Sequence, residues 1–173
     1  MLKTLHIIYA STSGNTEYVV DELIEYCGRQ TPQLTIERQR AEFAHPKDLL
    51  RGDVLILGSG TWNTGGTEGQ LNMYMHALLH DRAKDLDLQG RPITFISLGD
   101  NRYYFRTRCT EHFLRFQRKH NGTLFVPPLV MVNEPYGQEE KIHRWAERLL
   151  NHMTHGKPAH IRKRALTPSL SVS

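Results

Sequence analysis

Short β-branched apolar runs alternate with amphipathic segments along most of this chain, and that alternation constrains the fold more than any other feature. Leu5-His6-Ile7-Ile8-Tyr9 reads as a strand. After a polar loop, Val19, Val20, Leu23, Ile24 and Cys27 recur at helical spacing opposite Glu17, Asp21, Glu22 and Glu25. The pattern repeats, with strands expected over residues 34–37, 54–57 and 93–98 and a last strand that is interrupted by Pro127-Pro128 and ends at 132. Helices are expected over 71–80, 110–120 and 138–153, with a short helical turn at 46–50. Val54-Leu55-Ile56-Leu57 is apolar at every position, which implies burial on both faces. Strands and helices in this order predict a five-stranded parallel sheet with helices on both faces, an α/β fold.

A chain of 173 residues suits one domain, here residues 1–153, followed from 154 by a tail rich in Lys, Arg, Ser, Thr and Pro that is expected to be mobile. No apolar run approaches the ~18 residues of a membrane span, and no signal-peptide pattern opens the chain. A cytoplasmic monomer without a membrane partner is therefore expected. Cys27 and Cys109 stand in no metal or redox spacing and read as free structural thiols. The net charge of +4 favours acidic partners. Its basic residues cluster at Arg102, Arg106, Arg108, Arg115, Arg118 and Lys119, and again near the end in a tail that lacks the interleaved aromatics that would stack nucleic-acid bases. His76 and His80 lie one helical turn apart and read as a solvated face rather than a metal site.

In open α/β sheets, ligands sit beyond the carboxyl ends of the strands, so the loops after the strands are where chemistry is expected. Ser11-Thr12-Ser13-Gly14-Asn15-Thr16 supplies hydroxyls and backbone N–H groups at a helix start, as a phosphate dianion requires. It lacks the lysine of a nucleotide-triphosphate loop, and the same residues are also good helix caps. The loop after the third strand, Gly58-Ser59-Gly60-Thr61-Trp62-Asn63-Thr64-Gly65-Gly66, puts a large aromatic on a polar turn. The loop after the fourth, Leu98-Gly99-Asp100-Asn101-Arg102-Tyr103-Tyr104-Phe105, again joins glycine and carboxylate to aromatics. No placed general base, nucleophile with a histidine partner, or metal cluster is evident.

Together, Ser11 to Thr16, Thr61-Trp62-Asn63 and Gly99-Asp100 followed by Tyr103 resemble the three FMN-contacting loops of the flavodoxins. The resemblance covers roughly residues 2–153, and residues 122–135 are similar to the last strand of the short-chain members. It implies a three-layer doubly wound sandwich with strand order 2-1-3-4-5. Ser11, Thr12, Ser13, Gly14, Asn15 and Thr16 would bind the FMN phosphate. Trp62 and Tyr103, or Tyr104 or Phe105 in place of the latter, would stack on the two faces of the ring. Ser59, Gly60, Thr61, Asn63, Thr64, Gly65, Leu98, Gly99 and Asp100 would complete the site, the Asn63–Thr64 peptide being the one that turns over on reduction in the family. The resemblance implies a single-electron carrier between a flavodoxin reductase and acceptor redox enzymes. The alternatives are an NAD(P)H-dependent quinone or small-molecule reductase with one ring face open, and a binding module without redox chemistry. Flavodoxins are acidic around the flavin, whereas Arg102, Arg106 and Arg108 stand here beside the third loop. A less reducing flavin and acidic docking partners are therefore expected.

Overall fold

In the computed structural model, which describes residues 3–64, 67–102 and 107–155, the alternation resolves into a parallel sheet between two helical layers. β1 (Thr4–Tyr9) leads into α1 (Asn15–Gln30), and β2 (Thr35–Arg40) is followed by 3-10 turns at Ala41–Phe43 and Pro46–Leu50. β3 (Val54–Thr64) folds back as β4 (Thr67–Leu71), and α2 (Met73–His76) continues into a π-helical turn, Ala77–Arg82. β5 (Pro92–Gly99), α3 (Cys109–Lys119), β6 (Thr123–Leu124), β7 (Leu129–Val132) and α4 (Glu139–His155) complete the described chain. None of these helices is long and apolar enough to cross a membrane.

The sheet order is β2-β1-β3-β5-β6, all parallel, with β7 on β5 and β4 antiparallel to β3. The seven strands keep the expected five-stranded frame. Pro127-Pro128 splits the fifth strand into β6, paired with Pro92–Ile93, and β7, paired with Ile96–Gly99, because proline offers no N–H to a ladder. The Thr94 hydroxyl bridges the break by donating to the Val126 carbonyl at 2.9 Å.

Period-2 alternation divides the strands' side chains between two cores. Leu5, Ile7, Val54, Ile56, Ile96 and Leu98 pack against α1 and α4 through Val19, Val20, Leu23, Ile142, Leu149 and Met153. Ile8, Leu55, Leu57, Ile93 and Phe95 pack on the other face against Leu78, Leu79, Phe113 and Phe116. Trp145 is buried among the first group, its indole N–H donating to the Pro127 carbonyl at 2.7 Å. Cys27 and Cys109 are free and buried.

Three elements differ from expectation, the first being the helix expected over 71–80, which begins at Met73 because Leu71 ends β4, and runs on as the π-turn to Arg82. β2 extends to Arg40, because it pairs with β1 along its whole length, from Thr4↔Thr35 to Tyr9↔Arg40. Its charged residues conceal an edge strand. The stretch after Leu57 is not a loop but a continuation of β3, since β4 supplies an antiparallel partner with Thr61 opposite Leu71 and Trp62 opposite Gln70.

Candidate cofactor-binding site

At the carboxyl edge of the sheet lies a cleft of about 310 Å³. Its first wall is the β1–α1 turn. Gly14 sits at φ 92° as the N-cap of α1, a left-handed conformation that costs glycine nothing. The Ser11 hydroxyl accepts from the Glu17 N–H at 3.3 Å, and the Gly14 carbonyl accepts from Tyr18 at 2.9 Å. Among the described residues, the backbone N–H groups of Thr12, Ser13, Gly14, Asn15 and Thr16 have no protein acceptor. Five consecutive donors at the positive end of a 16-residue helix make an anion site. Thr12, Ser13, Asn15 and Thr16 line the cleft, whereas Ser11 and Gly14 stand behind it and shape the turn.

β3 supplies the second wall through Gly60, Thr61 and Trp62. A Cβ at Gly60 would stand 2.8 Å from the Trp62 indole nitrogen, so glycine is what lets the ring lie back along the strand. The indole is 38% exposed, a costly position for so much apolar surface unless a ligand covers it. The Thr61 hydroxyl donates to the Leu98 carbonyl at 3.1 Å and accepts from the Cys109 N–H at 3.4 Å, tying β3 to β5 and α3. Ser59 is fully buried and does not reach the cleft. Its hydroxyl donates to the Gly60 carbonyl at 2.8 Å and accepts from the Asn72 N–H at 2.9 Å.

Leu98, Gly99, Asp100 and Arg102 form the third wall. The Arg102 guanidinium grips the Asp100 carboxylate, with Nε 2.8 Å from Oδ2, and holds that carboxyl below its usual pKa range. Arg102 thus stands beside the third loop with its charge matched by Asp100. Arg108 likewise lies 3.8 Å from Glu111. Gly65, Tyr103, Tyr104, Phe105 and Arg106 lie outside the described residues. Asn63 and Thr64 are described as backbone only, within β3, where the register against β4 shifts between Trp62 and Thr64. Such a bulge leaves an extra residue out of the ladder.

The fourth wall went unforeseen. Asn133 and Glu134 line the cleft from the turn after β7. The Asn133 N–H donates to the Gly99 carbonyl at 2.8 Å and its side-chain oxygen accepts from the Asn101 N–H at 3.0 Å. The Asn15 amide donates to Glu134 at 3.1 Å, joining this turn to the phosphate-side helix. Their signal was position: they follow the last strand at its carboxyl end, in a turn that also carries Tyr136 and Gly137.

Fold and cleft position define a doubly wound α/β protein of the flavodoxin class. The flavodoxin family model matches residues 7–145, and the chain belongs to that family. Flavodoxins are FMN-binding electron-transfer proteins rather than enzymes. The chain is 28% identical over 106 residues to a flavodoxin of Maridesulfovibrio salexigens, covering 61% of this chain and 68% of that protein. With flavodoxin 1 of Azotobacter vinelandii it shares 27% identity over 99 residues, 57% of this chain and 54% of that one. Among solved structures, oxidised flavodoxin 2 from Bacillus cereus aligns with TM-score 0.75 and 26% identity, covering 86% of this chain and 98% of that one. Oxidised flavodoxin 1 from the same organism aligns with TM-score 0.75 and 22% identity, covering 87% and 99%.

Proposed function

We propose that this chain binds FMN in the cleft and carries single electrons between a reductase and acceptor redox enzymes with acidic docking faces. The observation that carries this reading is the arrangement of two walls. One offers five N–H donors that have no protein acceptor among the described residues. The other offers an exposed indole, set back by a glycine whose Cβ would collide with it. These residues fit a ligand with a phosphate at one end and an aromatic ring at the other. Thr12, Ser13, Asn15 and Thr16 would hold the phosphate, Trp62 would cover a ring face, and the Gly99–Asp100 backbone would meet the ring's polar edge. When bound, FMN supplies the redox chemistry; the protein binds it, excludes water from the ring face and sets the charge around it.

That charge is smaller than the arginines alone would give, since Arg102 is matched by Asp100. The family assignment supports the carrier over the reductase alternative. The test is a titration of the purified protein with FMN, read by quenching of flavin fluorescence. Saturable quenching at one FMN per chain is expected. Riboflavin, which lacks the phosphate, should bind roughly 100-fold more weakly or worse, given ~1.5–3 kcal/mol per hydrogen bond to a charged group. Absence of quenching, or equal affinity for the two flavins, would overturn the reading.

A further inference from the structure

Arg40, the last residue of β2, lies outside the cleft walls yet reaches the loop that forms one of them. Its Nη2 donates to the Ser11 carbonyl at 2.8 Å. Its Nε donates to Glu42 at 2.7 Å, and its Nη1 stands 3.4 Å from both carboxylate oxygens of Glu17. The guanidinium also sits 5.6 Å from the centre of the Tyr9 ring, whose hydroxyl donates to Glu17 at 2.8 Å. Glu17 in turn gives its backbone N–H to the Ser11 hydroxyl. Both oxygens of Ser11, carbonyl and hydroxyl, are thus engaged by one closed network.

Two carboxylates surround this one cation, so Arg40 brings no net positive charge to the loop. Its effect is directional. The described residues include no cis peptide, and in a trans peptide the carbonyl and the following N–H point in opposite directions. A Ser11 carbonyl drawn towards Arg40 therefore turns the Thr12 N–H away from it. Thr12 lines the cleft and its N–H has no protein acceptor among the described residues. With the peptide reversed, a carbonyl oxygen would face the anion instead. We infer that Arg40 is a positioning residue: by holding the Ser11 carbonyl out of the cleft it presents the Thr12 N–H to the phosphate of the cofactor. The inference rests on the reading that the cleft takes FMN. Glu42, Glu17 and Tyr9 keep the guanidinium in the plane that this requires.

The experiment uses the full chain with Arg40→Met and Arg40→Lys, titrated with FMN and with riboflavin at low salt and at about 1 M salt, where the Debye length is ~3 Å. Arg40→Met should weaken FMN about tenfold relative to wild type, as expected for one hydrogen bond to a charged group. Riboflavin affinity should stay within about twofold, and the FMN ratio of variant to wild type should survive high salt. Equal losses for both flavins would mean that Arg40 only supports the fold, and a ratio that vanishes in salt would mean that it attracts the phosphate by charge. Either result, or no loss at all, overturns the inference. Should Arg40→Met not fold, Arg40→Lys decides. It keeps the charge but cannot bridge Ser11, Glu17 and Glu42 together, so an FMN-selective loss of roughly threefold is expected and wild-type affinity overturns the inference. Failure of wild type itself to bind FMN would refute the proposed function and this inference with it, a result separable from any specific to the variants.

Discussion

Gly60 and His6 show how single positions trade space and solvation. Adding a methyl group at Gly60 forces the Trp62 indole outward, and because that ring is partly solvent-exposed it can move. Gly60→Ala should therefore cost only about 1 kcal/mol of folding free energy, the low end of overpacking penalties. FMN affinity should fall several-fold as the stacking ring leaves its place. Chemical denaturation and flavin quenching separate the two effects; unchanged affinity would show that Trp62 is not used. His6 is 1% exposed, and among the described residues neither ring nitrogen has a partner in good hydrogen-bond geometry, the Gln39 side chain giving only a minor contribution. Glu37 lies 3.5 Å away and would favour the charged ring. Burial and Arg51 outweigh it and lower the His6 pKa from 6.5. The fold thus prefers neutral imidazole, and this contribution to stability is present above pH 6.5 and lost as pH falls towards the lowered value. His80 and His112 are shifted the same way, also by burial, so the informative comparison is between proteins. His6→Leu should flatten the fall in urea midpoint between about pH 7 and pH 5; an unaltered slope would count against the His6 contribution.

At the scale of elements, the short helix α2 secures one side of the cleft through its N-cap. The Asn72 side-chain oxygen accepts from the Tyr74 N–H at 3.1 Å, while its amide donates to the Thr12 hydroxyl at 2.8 Å. Asn72→Asp keeps the capping oxygen but loses the donor and adds a negative charge beside Thr12. Because the position is 1% exposed, burying that charge should lower stability as well as weaken FMN binding, whereas Asn72→Ala should lose about 1 kcal/mol of capping energy without adding a charge. Equal FMN affinity in Asn72→Asp and wild type would show that this side of the cleft does not meet the phosphate. The same region shows what the sequence could convey. The apolar strands and the start of α1 after the Ser11–Thr16 turn were legible because burial on two faces and the demands of a helix start each restrict residue type. Thr67–Leu71 was not, since a polar pentapeptide with a central glycine becomes a strand only where β3 offers an edge. The Asn133–Glu134 wall could not be read locally, because it depends on how loops from different strand ends converge, whereas the Arg102–Asp100 pair, two residues apart in one loop, was open to a local reading.

For the whole molecule, the position of the charge matters more than its sum. The entire excess of +4 resides in residues 156–173, which carry Lys157, Arg162, Lys163 and Arg164 and no acidic residue. The remaining 155 residues are balanced, and Arg40, Arg102 and Arg144 each meet a carboxylate. Attraction to an acidic partner over distances beyond a Debye length of ~10 Å at 0.1 M salt must therefore come mainly from the tail. Ending the chain at His155, the last residue of α4, should leave FMN affinity and thermal midpoint unchanged. It should also abolish retention on a sulfonate matrix at neutral pH and low salt. An acidic redox partner should associate with the shortened chain more slowly, with a rate that hardly responds to salt. If retention and salt dependence both persist, the attracting charge belongs to the rim around the cleft, and the acidic-partner reading would pass from the tail to the arginines of the third loop.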